Sequence, residues 1–156
     1  MKSLRYTIFS IFTLYLIMAC SSDSDEEQNQ VPEFDRSTIL KNYAENIIIP
    51  RYNDFKLAID DLKTSVDGYI SYPMVSTYDI MHEYWLIAYK KWQHIEMFNI
   101  GKAEEIMFFN TVNTYPIDEL RIAENITLMK YDLSSPNDWS SQGLSGVDYM
   151  IHGVDI

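Results

Sequence analysis

The stretch Tyr78-Asp-Ile-Met81-His-Glu-Tyr-Trp85-Leu-Ile-Ala88-Tyr-Lys-Lys-Trp92-Gln-His-Ile95 decides the fold class. Tyr78, Met81, Trp85, Ala88, Trp92 and Ile95 recur at intervals of three and four. That spacing sets side chains on one face of an α-helix, whereas a half-buried strand would alternate with a period of two. No glycine or proline falls between Met74 and Phe98. The pattern predicts a helix over about 74–98, closed by Gly101.

The same period extends in both directions. Upstream, Ile39, Leu40, Tyr43, Ala44, Ile47 and Ile48 form one stripe. Pro50 interrupts it, because proline has no N–H for the helical ladder. Tyr52, Phe55, Ala58, Ile59, Leu62 and Val66 resume it, and Gly68 and Pro73 bracket the next turn. Downstream, helices are predicted over 102–111 and 116–130, with Pro116 in the first turn of the latter. Residues 133–141 are a Ser/Pro/Asn/Asp loop, and a last helix is expected from about Gln142 to Gly153. The chain carries only 5 glycines and 5 prolines, with no recurring strand-turn-strand pattern. The expectation is all-α: an antiparallel bundle of four to five helices over residues 37–156.

The N-terminus reads differently. Lys2 and Arg5 precede an apolar run from Ile8 to Ala19 that is short for a membrane span. The run ends Leu16-Ile-Met-Ala-Cys20, which resembles the lipobox of bacterial lipoproteins. Residues 1–19 are therefore read as a lipoprotein signal peptide and Cys20 as the lipidated residue; an ordinary cysteine is the alternative. Cys20 is the only cysteine, so no intramolecular disulfide can form. Residues 20–36 are polar and acidic up to Val31 and read as a disordered tether. They also resemble the acidic export tag of surface lipoproteins, and a solvated spacer explains them equally well.

Cleavage before Cys20 removes Lys2 and Arg5 and leaves 10 basic residues against 23 acidic ones, a net charge of −13. This argues against nucleic acid and against docking on anionic lipid headgroups. It is compatible with cation binding but is not itself a site.

Four blocks carry a family resemblance. Asn42 to Phe55 holds a proline-interrupted helix. Trp92-Gln-His-Ile-Glu96-Met-Phe-Asn-Ile-Gly101 is similar to a W-x-x-x-E-x-F-x-x-G stretch. Asn113-Thr-Tyr-Pro116-Ile-Asp118 is similar to N-x-(W/Y)-P-x-D. Gly143-Leu-Ser145-Gly-Val-Asp148 resembles G-x-H-x-x-E, with serine in place of the histidine and aspartate in place of the glutamate. Together the blocks resemble the imelysin family, which includes an insulin-cleaving membrane protease and iron-regulated proteins. The resemblance implies a fold of two helical halves, of which this chain supplies the first. It also implies a metallopeptidase activity or a role in iron uptake.

The residues offer two places for a site. Glu96 lies within about 40° of Trp85 and Trp92 on an ideal helix, and His82, Tyr89 and Glu96 follow at intervals of seven. A carboxylate on that inward face needs a partner; a buried hydrogen-bond network and a metal site both supply one. On the last helix, Ser145, Asp148 and His152 share a face at i, i+3 and i+7. Asp148 and His152 are compatible with metal ligation, but placement by the helix dipole is the preferred reading of the pair. His94 points away from His82. The aromatics sit at core spacing and read as packing. No phosphate loop, nucleophile elbow, H-E-x-x-H run or Cys-His pair occurs.

The expected function is a lipid-anchored cell-envelope protein of the outer membrane that binds iron or another divalent metal weakly. Its metal residues would be Glu96, Asp148, Ser145, His82 and His152. The competing readings are a non-catalytic interaction module and a metallopeptidase. Loss of the motif histidine weighs against the enzyme. The expected partners are the membrane, through the N-terminal lipid, and a second copy or another protein supplying the missing half. Leu144, Val147 and Ile151 are expected to lie on the face exposed by that absence.

Overall fold

The computed structural model describes residues 35–153. The signal peptide, Cys20 and nearly all of the tether lie outside the described residues. Among the described residues there are helices and no strands, so the chain is all-α as the periodicity predicts. None of these helices is long and apolar enough to cross a membrane.

The elements are α1 (Arg36–Tyr43), a π-helical turn (Ala44–Ile48), α2 (Ile49–Ser71), α3 (Val75–Gln93), α4 (Lys102–Glu105), α5 (Phe108–Val112), α6 (Glu119–Leu128), a 3-10 turn (Pro136–Ser141), α7 (Gly143–Asp148) and a second π turn (Tyr149–Gly153).

Pro50 bends the ladder without ending the helix. It cannot donate to the carbonyl four residues back, and its ring presses on that carbonyl. The π turn before it absorbs the mismatch: the Ile49 N–H reaches the Ala44 carbonyl, five residues back. Gly68, predicted to flank a turn, lies inside α2; the helix stops at Ser71, where Tyr72 precedes Pro73 and takes an extended ψ of 82°.

A three-residue connection forces α2 and α3 to run antiparallel. Cross-contacts show the register: Tyr69 meets Tyr78 (6.2 Å between ring centroids) and Phe55 meets Trp92 (5.7 Å). Lys91 pairs with Asp54 at 3.1 Å. The core is the predicted one, with Phe55, Ala58 and Leu62 facing Trp85, Ala88, Trp92 and Ile95, and α7 adds Leu144. Burying each of the large side chains contributes roughly 2–3 kcal/mol.

Three expectations fail on packing. Among the described residues the stripe Ile39–Ile48 finds little cover: α1 buries no residue and Leu40 is 70% exposed. Leu144 is only 3% exposed, and Val147 and Ile151 are half-buried, so α7 is covered within this chain. Exposed apolar residues include Leu40, Ile49 and Leu57, Ile70 and Val75 at the α2–α3 turn, Met97 and, on and after α6, Leu120, Leu128 and Met129.

The third concerns helix ends. α3 stops at Gln93, five residues before the expected Phe98, because the chain winds into tight turns that keep Ile95 fully buried. The Tyr52 hydroxyl then holds the Phe98 carbonyl at 3.0 Å. The predicted helix over 102–111 is broken in two by Met107, at φ 50°. Pro116 lies in the connector, after a cis Tyr115–Pro116 bond, and Asp118 caps α6 by accepting the Arg121 N–H at 2.9 Å.

Candidate functional site

The first glycine of the motif positions everything after it. Gly143 has φ +74°, and a Cβ there would fall 2.3 Å from the Val112 carbonyl oxygen. Only glycine lets α7 start in contact with the backbone at the end of α5. That approach puts Ser145 beside Asn113, and the Ser145 hydroxyl donates to Asn113 Oδ1 at 2.7 Å. On the other side, Trp85 Nε1 donates to the Leu144 carbonyl at 3.0 Å, locking α7 to α3. The Tyr78 hydroxyl donates to the Ile151 carbonyl at 3.0 Å and holds the last turn.

Asp148 and His152 form the polar centre. Asp148 Oδ1 lies 2.8 Å from His152 Nδ1, which is also 3.1 Å from the Asp148 carbonyl. With Nδ1 as donor to the carboxylate, Nε2 is the nitrogen left to accept or ligate. The half-buried His82 packs edge-on against His152 at 4.7 Å, and Trp85 lies 5.7 Å from His152. Ser145, Asp148 and His152 open onto a cavity of about 420 Å³, whose other walls come from Trp85, Tyr89, Tyr115, Ile117 and Tyr149.

Glu96 does not join them. Its inward placement assumed a helix that continues past residue 93; α3 has ended by then, and Glu96 is exposed. His94 is exposed as well. Of the five expected metal residues, the structure gathers Ser145, Asp148, His152 and His82 around α7 and leaves Glu96 outside.

Sequence reasoning missed Asn113, Tyr115 and Tyr149. Helical periodicity relates residues within one helix, whereas Asn113 reaches Ser145 across 32 positions. The usable signal was that both belong to family-like blocks. It also missed Asp138, which is 7% exposed, accepts the Asp132 N–H at 2.9 Å and pairs with Arg121 at 3.6 Å. These partners compensate a buried carboxylate and pin the 133–141 loop to α6.

The donors do not fit a hydrolytic metal centre. Such centres use three protein ligands and an open position. Among the described residues no group of three His, Cys, Asp or Glu side chains is placed to hold a metal ion. The Ser145 hydroxyl is a weak neutral donor already turned toward Asn113. Asp148 and His152 fit at most a two-residue cation site completed by water.

A family model described as imelysin matches residues 48–155. Iron-regulated protein A of Synechococcus elongatus is 22% identical over 79 residues, which cover 51% of this chain and 22% of that protein. The crystal structure of an imelysin peptidase from Bacteroides ovatus matches with a TM-score of 0.61 and 17% identity, covering 67% of this chain and 32% of that one. The chain thus spans less than a third of the length of either relative, and the structural likeness speaks for the fold. With the family model matching well over half of its residues, the chain belongs to the imelysin family.

Proposed function

We propose that this protein is a lipid-anchored cell-envelope member of its family that binds a divalent cation, iron among them, weakly, and does not hydrolyse peptides. The observation that carries the reading is the Asp148–His152 pair, 2.8 Å apart on the wall of a cavity to which two family-like blocks contribute Tyr115, Ile117, Ser145 and Asp148. A carboxylate with an imidazole suits cations of hard to intermediate character. The name of the cyanobacterial relative links that protein to iron and supports the choice of metal. Anchoring to the outer membrane rests on Leu16–Cys20 and on two or more acyl chains giving stable attachment. Hydrolysis needs a metal-activated water and a base, and at the motif histidine's position stands Ser145.

Two measurements test this reading. Calorimetry with Mn²⁺ and Fe²⁺ should show saturable binding by the wild type that Asp148→Ala removes; no binding, or unchanged binding in the variant, contradicts it. Cys20→Ala should move the protein out of the membrane fraction, and unchanged fractionation contradicts the anchor.

A second reading has its own observation. The exposed apolar residues of α1 and α6 favour a module that docks on another helical surface, either a second copy or another protein. The two readings are compatible.

A further inference from the structure

The cavity beside Asp148 is larger than a bare ion requires. Its volume is about 420 Å³, whereas one water needs roughly 10–15 Å³ of such space. It falls in the size range of small-molecule pockets. Its walls are mainly aromatic: Trp85, Tyr89, Tyr115 and Tyr149, with the His152 ring at the edge. Trp85 and Tyr89 stack at 5.3 Å with their planes 13° apart, and with Trp85 only 8% exposed the tyrosines supply most of the accessible aromatic wall. Among the described residues no lysine or arginine lines the cavity, and Asp148 supplies a carboxylate.

Aromatic faces attract cations through the ring quadrupole, best from tryptophan and tyrosine, and a desolvated organic cation gains more than a tightly hydrated ion. A nearby carboxylate adds a point charge of the right sign. We infer that the cavity takes an organic ammonium cation, its alkylated nitrogen among Tyr89, Tyr115 and Tyr149 and its charge toward Asp148. This deepens the cation-site reading and rests on it: the ligand class is a cation with an apolar body. Tyr115 lines the cavity and is 84% exposed, so its replacement should leave the core intact.

The test is a titration of the full mature chain with choline, with its uncharged carbon isostere dimethylbutanol, and with Mn²⁺, read by calorimetry. Choline should bind saturably and compete with Mn²⁺. The isostere should bind at least about tenfold more weakly, because it fills the same volume without the charge. Asp148→Asn and Tyr115→Leu should each weaken choline by about tenfold. Equal binding of choline and the isostere overturns the inference, as does choline binding that neither variant changes. Binding of Mn²⁺ without choline overturns this inference alone; binding of neither overturns the cation-site reading as well.

Discussion

The Ser145 hydroxyl donates to Asn113 Oδ1 at 2.7 Å, joining the start of α7 to the loop after α5. In the motif that α7 resembles, a histidine stands at this position. Here serine serves a hydrogen bond within the protein. Ser145→Ala and Asn113→Ala should each cost about 1 kcal/mol of stability. Their effects should be non-additive by about 0.5 kcal/mol or more, since both remove one bond. Chemical denaturation of the two single variants and the double variant measures this; strict additivity contradicts the contact.

Gly143 and Gly68 should respond oppositely to alanine. At Gly143 the new Cβ meets the Val112 backbone at 2.3 Å and φ is positive, so the substitution should cost more than about 2 kcal/mol. At Gly68, inside α2, nothing lies within 4 Å, and alanine should stabilise by about 0.5–1 kcal/mol. Thermal unfolding of both variants gives the two signs directly.

Asp132 should report on its loop. Hydrogen bonds from the Ser134 hydroxyl and N–H hold its carboxyl below the usual aspartate value. A depressed folded-state value contributes stability above the unfolded value, and that contribution is lost as pH falls through the folded one. Ser134→Ala should raise the Asp132 value toward normal and narrow the acid window. Carbon NMR titration of the carboxyl in both proteins checks it, and identical curves contradict the geometry.

The second-partner reading predicts self-association. Leu40 and Tyr43 on α1 are 70% and 51% exposed, with no partner surface within the described residues of α1 to bury them. Light scattering of the mature protein should show dimers or larger species, and Leu40→Lys with Tyr43→Lys should reduce them. A monomer at all concentrations contradicts this reading.

How much of this was legible in the sequence differs by element. The α2–α3 pair and its core were readable, because apolar spacing within one helix is a local signal, and Phe55, Leu62, Trp85 and Trp92 all lie inside. The end of α3 was not, because the tight turns after Gln93 follow Ile95 into the core and the segment is held by Tyr52 from 46 positions away. Glu96 was misplaced for that reason. In the candidate site, Ser145, Asp148 and His152 were readable from their i, i+3, i+7 spacing, which runs through α7 into the π turn after it. The walls from Tyr115 and Tyr149 were not, since no periodicity connects them.

On the proposed reading, Ser145 and Asp148 weaken a cation site at the position of the G-x-H-x-x-E motif. Calorimetry of Mn²⁺ binding to the wild type and to Ser145→His with Asp148→Glu tests it most directly. Weak binding by the wild type and clearly tighter binding by the double variant are expected, because residues at i and i+3 on α7 meet on one face and histidine is a strong ligand at neutral pH. Equal affinity in the two proteins would contradict it and place any cation site elsewhere.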